Sequence, residues 1–242
     1  MKEGANLFYE IIKFIIVFIF VYVIPLVYYV KHSPSYRDKV VKSTFFSIGY
    51  IIASLFVNYN LIPFVLVVLI MLNMAKEDVH YNRFGFSLKG FKLGKAVFYS
   101  VCSYAVIIIV NIISAIIIQN FNIKGQEQEV VEMLRKASFI YFLILGPMIL
   151  IFAPVVEEFV FRYFLFEEIF TPRIGVILSA LLSSIFFALT HFNLLATPIL
   201  LTVAFINSYL IHKKGYWYAV FNHFVFNSIS FFSLFAEKFL SK

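Results

Sequence analysis

The chain has 242 residues, of which 62% are hydrophobic and 14% charged, and its mean hydropathy is +0.92. A soluble domain is about 45–50% apolar and about 25% charged, so this composition excludes an ordinary soluble globular protein and predicts a single integral membrane domain over residues 1–242. The net charge of +7 does not indicate a nucleic-acid partner, because Lys and Arg cluster between apolar segments, as bilayer topology and anionic lipid require.

The first apolar run continues to about Val30. That is longer than a signal-peptide core, and no small-x-small cleavage site follows, so it reads as a retained first span over 7–30. The segment 43–75 is too long for one crossing of about 20 residues. The triplet Asn58-Tyr59-Asn60 followed by Pro63 predicts a turn between two short spans; one kinked helix is the alternative. Further spans fall at 96–118, 139–156, 174–191, 194–212 and 216–235. The fold class is therefore all-α, a polytopic transmembrane bundle of about eight spans, or seven with the kinked helix. Cys102, the only cysteine, excludes an intrachain disulfide and a cysteine-ligated metal site. It is expected to pack within its apolar run as a small hydrophobe.

The loops 31–42 and 76–95 carry Lys31, Arg37, Lys39, Lys42, Lys76, Arg83, Lys89, Lys92 and Lys95. They share the cytoplasmic side only if 43–75 crosses twice. That side then also receives Arg173, Lys213 and Lys214, and the outer side keeps Lys2, Lys124, Arg135, Lys136, Lys238 and Lys242. Both termini are expected outside. The polar stretch 119–138 places Val130, Val131 and Leu134 at helical spacing, which fits an interfacial helix or a solvated loop with one helical turn.

Against this background three polar groups stand out: Glu157-Glu158-x-x-x-Arg162, Phe187-x-x-x-His191 and His223-x-x-x-Asn227. Four-residue spacing puts Glu158 beside Arg162 on one helix face, and likewise Phe187 beside His191 and His223 beside Asn227. Glu157 points about 100° away from Glu158, so the two carboxylates have different neighbours. At about 1.5 Å rise per residue, the groups on three separate helices fall roughly 14–24 Å from the cytoplasmic ends, within one band of the membrane. Each alone has an ordinary explanation: a helix-packing clamp, an interfacial histidine, an interhelical asparagine. Ionisable groups gathered at one membrane depth mark a functional cavity. Asn111, Asn193 and Asn207 read as packing or loop residues, Glu10 with Lys13 as a local pair, and Glu167 with Glu168 as interfacial.

This ordered trio, over roughly 139–235, resembles the CPBP family of intramembrane proteases, which includes CAAX prenyl protease 2 and the bacteriocin-processing Abi-type proteins. The resemblance implies peptide-bond hydrolysis in a cavity built by the late helices. It implies that Glu157 activates water, that His191 holds that water, and that His223 and Asn227 stabilise the oxyanion, with Glu158 and Arg162 supporting them. The implied partners are a protein or peptide substrate and the lipid bilayer. Family members are often described as metalloproteases, and Glu157, His191 and His223 are the candidate ligands for a zinc-like divalent ion. The His-Glu-x-x-His spacing is absent, which favours a metal-independent glutamate mechanism. The rivals are a non-catalytic immunity or regulatory scaffold of the same fold and a small transporter. The Phe/Ile/Lys-rich, Cys-poor composition suggests a bacterial cell membrane.

Overall fold

The structure, a computed structural model, describes residues 2–56 and 60–241, with side chains from residue 7 onward. Ten helices longer than one turn occur among these residues. Helix α1 runs Lys2–Phe18, passes through a π-helical turn at Ile19–Val23 and continues over Ile24–His32. It is followed by α2 (Val40–Phe56), α3 (Leu61–Met74), α4 (Val79–Arg83), α5 (Leu93–Asn120) and α6 (Glu129–Lys136). Then come α7 (Phe139–Ile174), α8 (Val176–Leu189), α9 (Thr197–Lys214) and α10 (Tyr216–Leu240). Four helices, α1, α5, α7 and α10, are long and apolar enough to cross a membrane, and α2, α3 and α8 are shorter apolar helices. The expected turn at 58–60 lies mostly outside the described residues, but separate helices flank it, and Asn60 takes a left-handed conformation.

The late helices form the centre. Helices α8 and α9 pack against each other, and both bury small residues, Ser179, Ala180, Ser183 and Ser184 on α8 and Ala204 and Ser208 on α9, as close helix approach favours. The Ser183 hydroxyl donates to the Phe161 carbonyl of α7 at 2.7 Å. Helix α5 runs alongside α9 and α10. It buries Ala96, Ser100, Ser103 and Ser114 and turns Ile108, Ile109, Ile112 and Ile116 outward, toward where lipid lies. Cys102 is on that exposed face, which corrects the expectation that it packs inside.

Helix α7 exceeds the expected span by many residues and holds three prolines, Pro147 and Pro154 in its interior and Pro172 in its last turn. Its π-helical turn at Met148–Phe152 ends with the Ala153 N–H on the Met148 carbonyl. The next donor in that register, for the Ile149 carbonyl, is residue 154, a proline without an N–H. A side chain from α10 takes its place, as described below. At the α9–α10 corner, Gly85 (φ +70°) and Gly215 (φ +107°) touch so closely that a Cβ on Gly85 would lie 2.6 Å from the Gly215 Cα. The Tyr216 N–H donates to the Phe84 carbonyl across this contact at 2.9 Å, fixing where α10 begins.

The loops sort to two ends. Ser33, Arg37, Glu77, His80 and Glu168 surround one cavity, and the Gly85–Gly215 contact joins the same end. At the other end Lys13 pairs with Glu129, Asn193 donates to the Gln126 carbonyl, and Arg135 pairs with Glu237. The loops 31–42 and 76–95 therefore share an end. In the stretch 119–138 the helical alternative holds: α6 buries Leu134 and lies across the second end.

Candidate active site

A cavity of about 390 Å³ opens beneath α6 and is lined in part by Glu157, His191, His223 and Asn227. The three motifs thus reach one space from α7, from the turn after α8 and from α10. Glu129 and Met133 of α6 and Lys13 of α1 form its rim.

The adjacent glutamates have different surroundings. The Glu157 side chain is 16% exposed and faces the cavity, whereas Glu158 is fully buried. Glu158 Oε2 lies 3.3 Å from Arg162 Nε, and Arg162 is also fully buried. The guanidinium carbon sits 4.1 Å from the centre of the Phe187 ring, a cation–π contact in a desolvated setting. Glu158 Oε1 accepts from Asn207 Nδ2 at 2.9 Å and meets His223 Nδ1 at 2.7 Å. The other ring nitrogen of His223, Nε2, points to Glu157 Oε2 at 3.7 Å. His223 therefore stands between the two carboxylates.

His191 Nδ1 is 2.8 Å from the Phe187 carbonyl. A carbonyl only accepts, so Nδ1 carries the hydrogen, and in the neutral ring Nε2 keeps its lone pair. The Phe187 ring lies 4.6 Å from the His191 ring and 5.8 Å from the His223 ring, so this residue braces Arg162 and both histidines. Asn227 Nδ2 donates to the Ile149 carbonyl at 2.9 Å, supplying the donor that Pro154 lacks. That bond ties α10 to the π-helical turn of α7 and leaves one amide hydrogen of Asn227 uncommitted.

Two residues of this constellation were not singled out by spacing. Asn207, expected to be a packing residue, is fully buried and bonds to a motif glutamate. Asn222 donates to Asn207 Oδ1 at 2.7 Å. Asn193 is a loop residue that accepts from the Ala196 N–H and donates to the Gln126 carbonyl. Glu167 and Glu168 pair with His212 and His80 at the opposite end.

Among the described residues no three His, Cys, Asp or Glu side chains gather closely enough to hold a metal ion. Glu157, His191 and His223 line one cavity but do not converge as ligands. They do not fit a zinc centre as they stand, and no step below is routed through a metal.

The segment 138–229, which carries every motif residue, matches the family described as type II CAAX prenyl endopeptidase Rce1-like and is a domain of that family. The family is one of integral membrane endopeptidases. No curated protein and no solved structure matches the chain.

Proposed function

We propose that this chain is an intramembrane endopeptidase of about eight crossings that uses Glu157 as general base. The observation that carries this reading is the meeting of Glu157, His191, His223 and Asn227 around one cavity inside a family domain of endopeptidases. His191 Nε2 accepts one hydrogen of a water molecule and Glu157 takes the other as the oxygen attacks the peptide carbonyl. Asn227 offers its uncommitted amide hydrogen to the developing oxyanion, and His223 offers Nε2–H when its ring is protonated against Glu158. Glu157 then passes its proton to the departing amine as the oxyanion collapses and the C–N bond breaks; the water oxygen and its second hydrogen stay on the new carboxyl group, which ionises to water on release. Arg162 neutralises Glu158, which keeps two adjacent glutamates tolerable away from water. The lysine- and arginine-rich end faces the cytoplasm of a bacterial cell, and the substrate is a membrane-associated protein or peptide.

The test compares the N-terminal peptides of secreted and membrane proteins from cells making the wild type and Glu157→Ala, followed by cleavage of the identified sequence by purified protein. Peptides that vanish in Glu157→Ala cells and are regenerated in vitro support the reading. Identical peptide sets, with a purified protein that cleaves none of the sequences, overturn it.

A further inference from the structure

We propose that Asn207, held by Asn222, is a positioning residue that sets how His223 presents its ring to Glu157. The proposal rests on the endopeptidase reading for its consequence in rate, but not for its consequence in structure. The chain of contacts runs Asn222 Nδ2 to Asn207 Oδ1 at 2.7 Å, then Asn207 Nδ2 to Glu158 Oε1 at 2.9 Å, then Glu158 Oε1 to His223 Nδ1 at 2.7 Å. All four residues are at most 4% exposed, so solvent does not compete for any of these bonds.

Each orientation in this chain determines the next. The Asn222 amide donates, so Asn207 must present its carbonyl oxygen there and its NH₂ to Glu158. A carboxylate only accepts, so Oε1 takes one hydrogen from Asn207 and a second from His223 Nδ1. With Nδ1 as the donor, Nε2 is the nitrogen that looks at Glu157 across 3.7 Å. Reversing the Asn207 amide would turn its oxygen against the carboxylate and its NH₂ against that of Asn222, so both contacts oppose it. Oε2 is meanwhile held toward Arg162 at 3.3 Å. The carboxylate is thus pinned by two hydrogen bonds on Oε1, with Oε2 in an ion pair that lacks hydrogen-bond geometry, so the hold on the imidazole runs through Oε1 and Asn207. The anchored pair joins α7 to α10, and Asn207 contributes the constraint from α9.

An asparagine between helices is often only packing glue, worth a modest amount of stability. The two roles separate by experiment. Asn207→Leu keeps the size of the side chain and removes both hydrogen bonds. Asn222→Ser is milder and loosens only the hold on Asn207. Histidine-selective ¹⁵N spectra of full-length protein in detergent report the hydrogen on each ring nitrogen, with the His223 signals assigned by their loss in His223→Gln. The wild type should show hydrogen on Nδ1. Asn207→Leu should move the His223 nitrogen shifts and lower kcat roughly 10- to 100-fold, as loss of an orienting partner of a functional histidine does, with little change in KM. Asn222→Ser should shift both readouts in the same direction by less. Should Asn207→Leu fail to fold, Asn222→Ser decides alone. Unchanged His223 shifts in the folded variants overturn the proposal and leave Asn207 as glue. If the wild type cleaves nothing, the endopeptidase reading falls, and the ¹⁵N shifts still decide the relay.

Discussion

Two clusters of ion pairs contrast in setting, one buried among the helices beside the cavity and one exposed along the outer rim of α6, away from the cavity lining. Inside, Glu158 and Arg162 are both fully buried and lie 3.3 Å apart. On the rim, Arg135 reaches Glu127 at 3.1 Å and Glu237 at 2.6 Å, with all three side chains about half exposed. The shorter contacts are the weaker ones in consequence. Exposed charges are already well solvated, so pairing them changes little. Buried charges have given up their solvation, so losing a partner strands the other in a medium that cannot compensate it. Distance alone would rank these clusters wrongly; burial ranks them.

The inner cluster should produce the large effects. Glu157→Gln keeps the shape and removes the proposed base. The cleavage rate should fall about 10²–10⁴-fold while the detergent melting temperature stays near that of the wild type. A purified Glu157→Gln protein cleaving at the wild-type rate would remove Glu157 from the chemistry. Arg162→Met leaves Glu158 buried without its cation, a loss of about 3–5 kcal/mol that should appear as poor yield and a much lower melting temperature. Glu158→Gln/Arg162→Met should recover part of that loss, because no charge from the pair remains. Strictly additive losses across the four proteins would show that the two residues are uncoupled and that the contrast with the rim is not one of burial.

The inner cluster was also the more legible region. In so apolar a chain, Glu157, Glu158, Arg162, His191, His223 and Asn227 are conspicuous, and the helical rise is enough to bring them to one depth. Asn207 was missed because it stands alone on its helix, with no polar residue four positions away to form a pattern. Its meaning lies in Glu158, 49 positions earlier. The rim was illegible for the same reason in stronger form, since Lys13–Glu129 and Arg135–Glu237 each join residues more than 100 positions apart. Cys102 was misjudged because α5 is apolar on every side. Its inward face holds Ile107 and the small residues Ala96, Ser100, Ser103 and Ser114, so hydrophobicity does not distinguish it from the outer one. The continuation of α7 past Pro147 and Pro154 depends on a π-helical turn and on Asn227, a long-range partner that no local rule supplies.

The rim gives the smallest effect and the finest test. On α6 the Glu132 carboxyl is held below its ordinary value of 4.5, first by a hydrogen bond from Lys136 and then by that residue's charge. The folded form therefore binds this proton less readily than the unfolded chain, so the contribution to stability is full above the ordinary carboxylate value. It is lost as pH falls through the lower, folded value. Lys136→Met removes the cause. At neutral pH it should lower the melting temperature only slightly, because both partners face water. Moderate salt should shrink the difference between the two proteins, and acidification below the ordinary carboxylate range should abolish it. Arg135 is shifted in the opposite sense, upward, by a hydrogen bond from its side chain to Glu237 and by the nearby charges of Glu127 and Glu237. Its own contribution is thus fully present below the ordinary arginine value and does not change across this acid range. A Lys136→Met difference that persists unchanged in acid and in salt would mean that the rim is held by packing of α6 rather than by charge, and the comparison between the two clusters would rest on the inner pair alone.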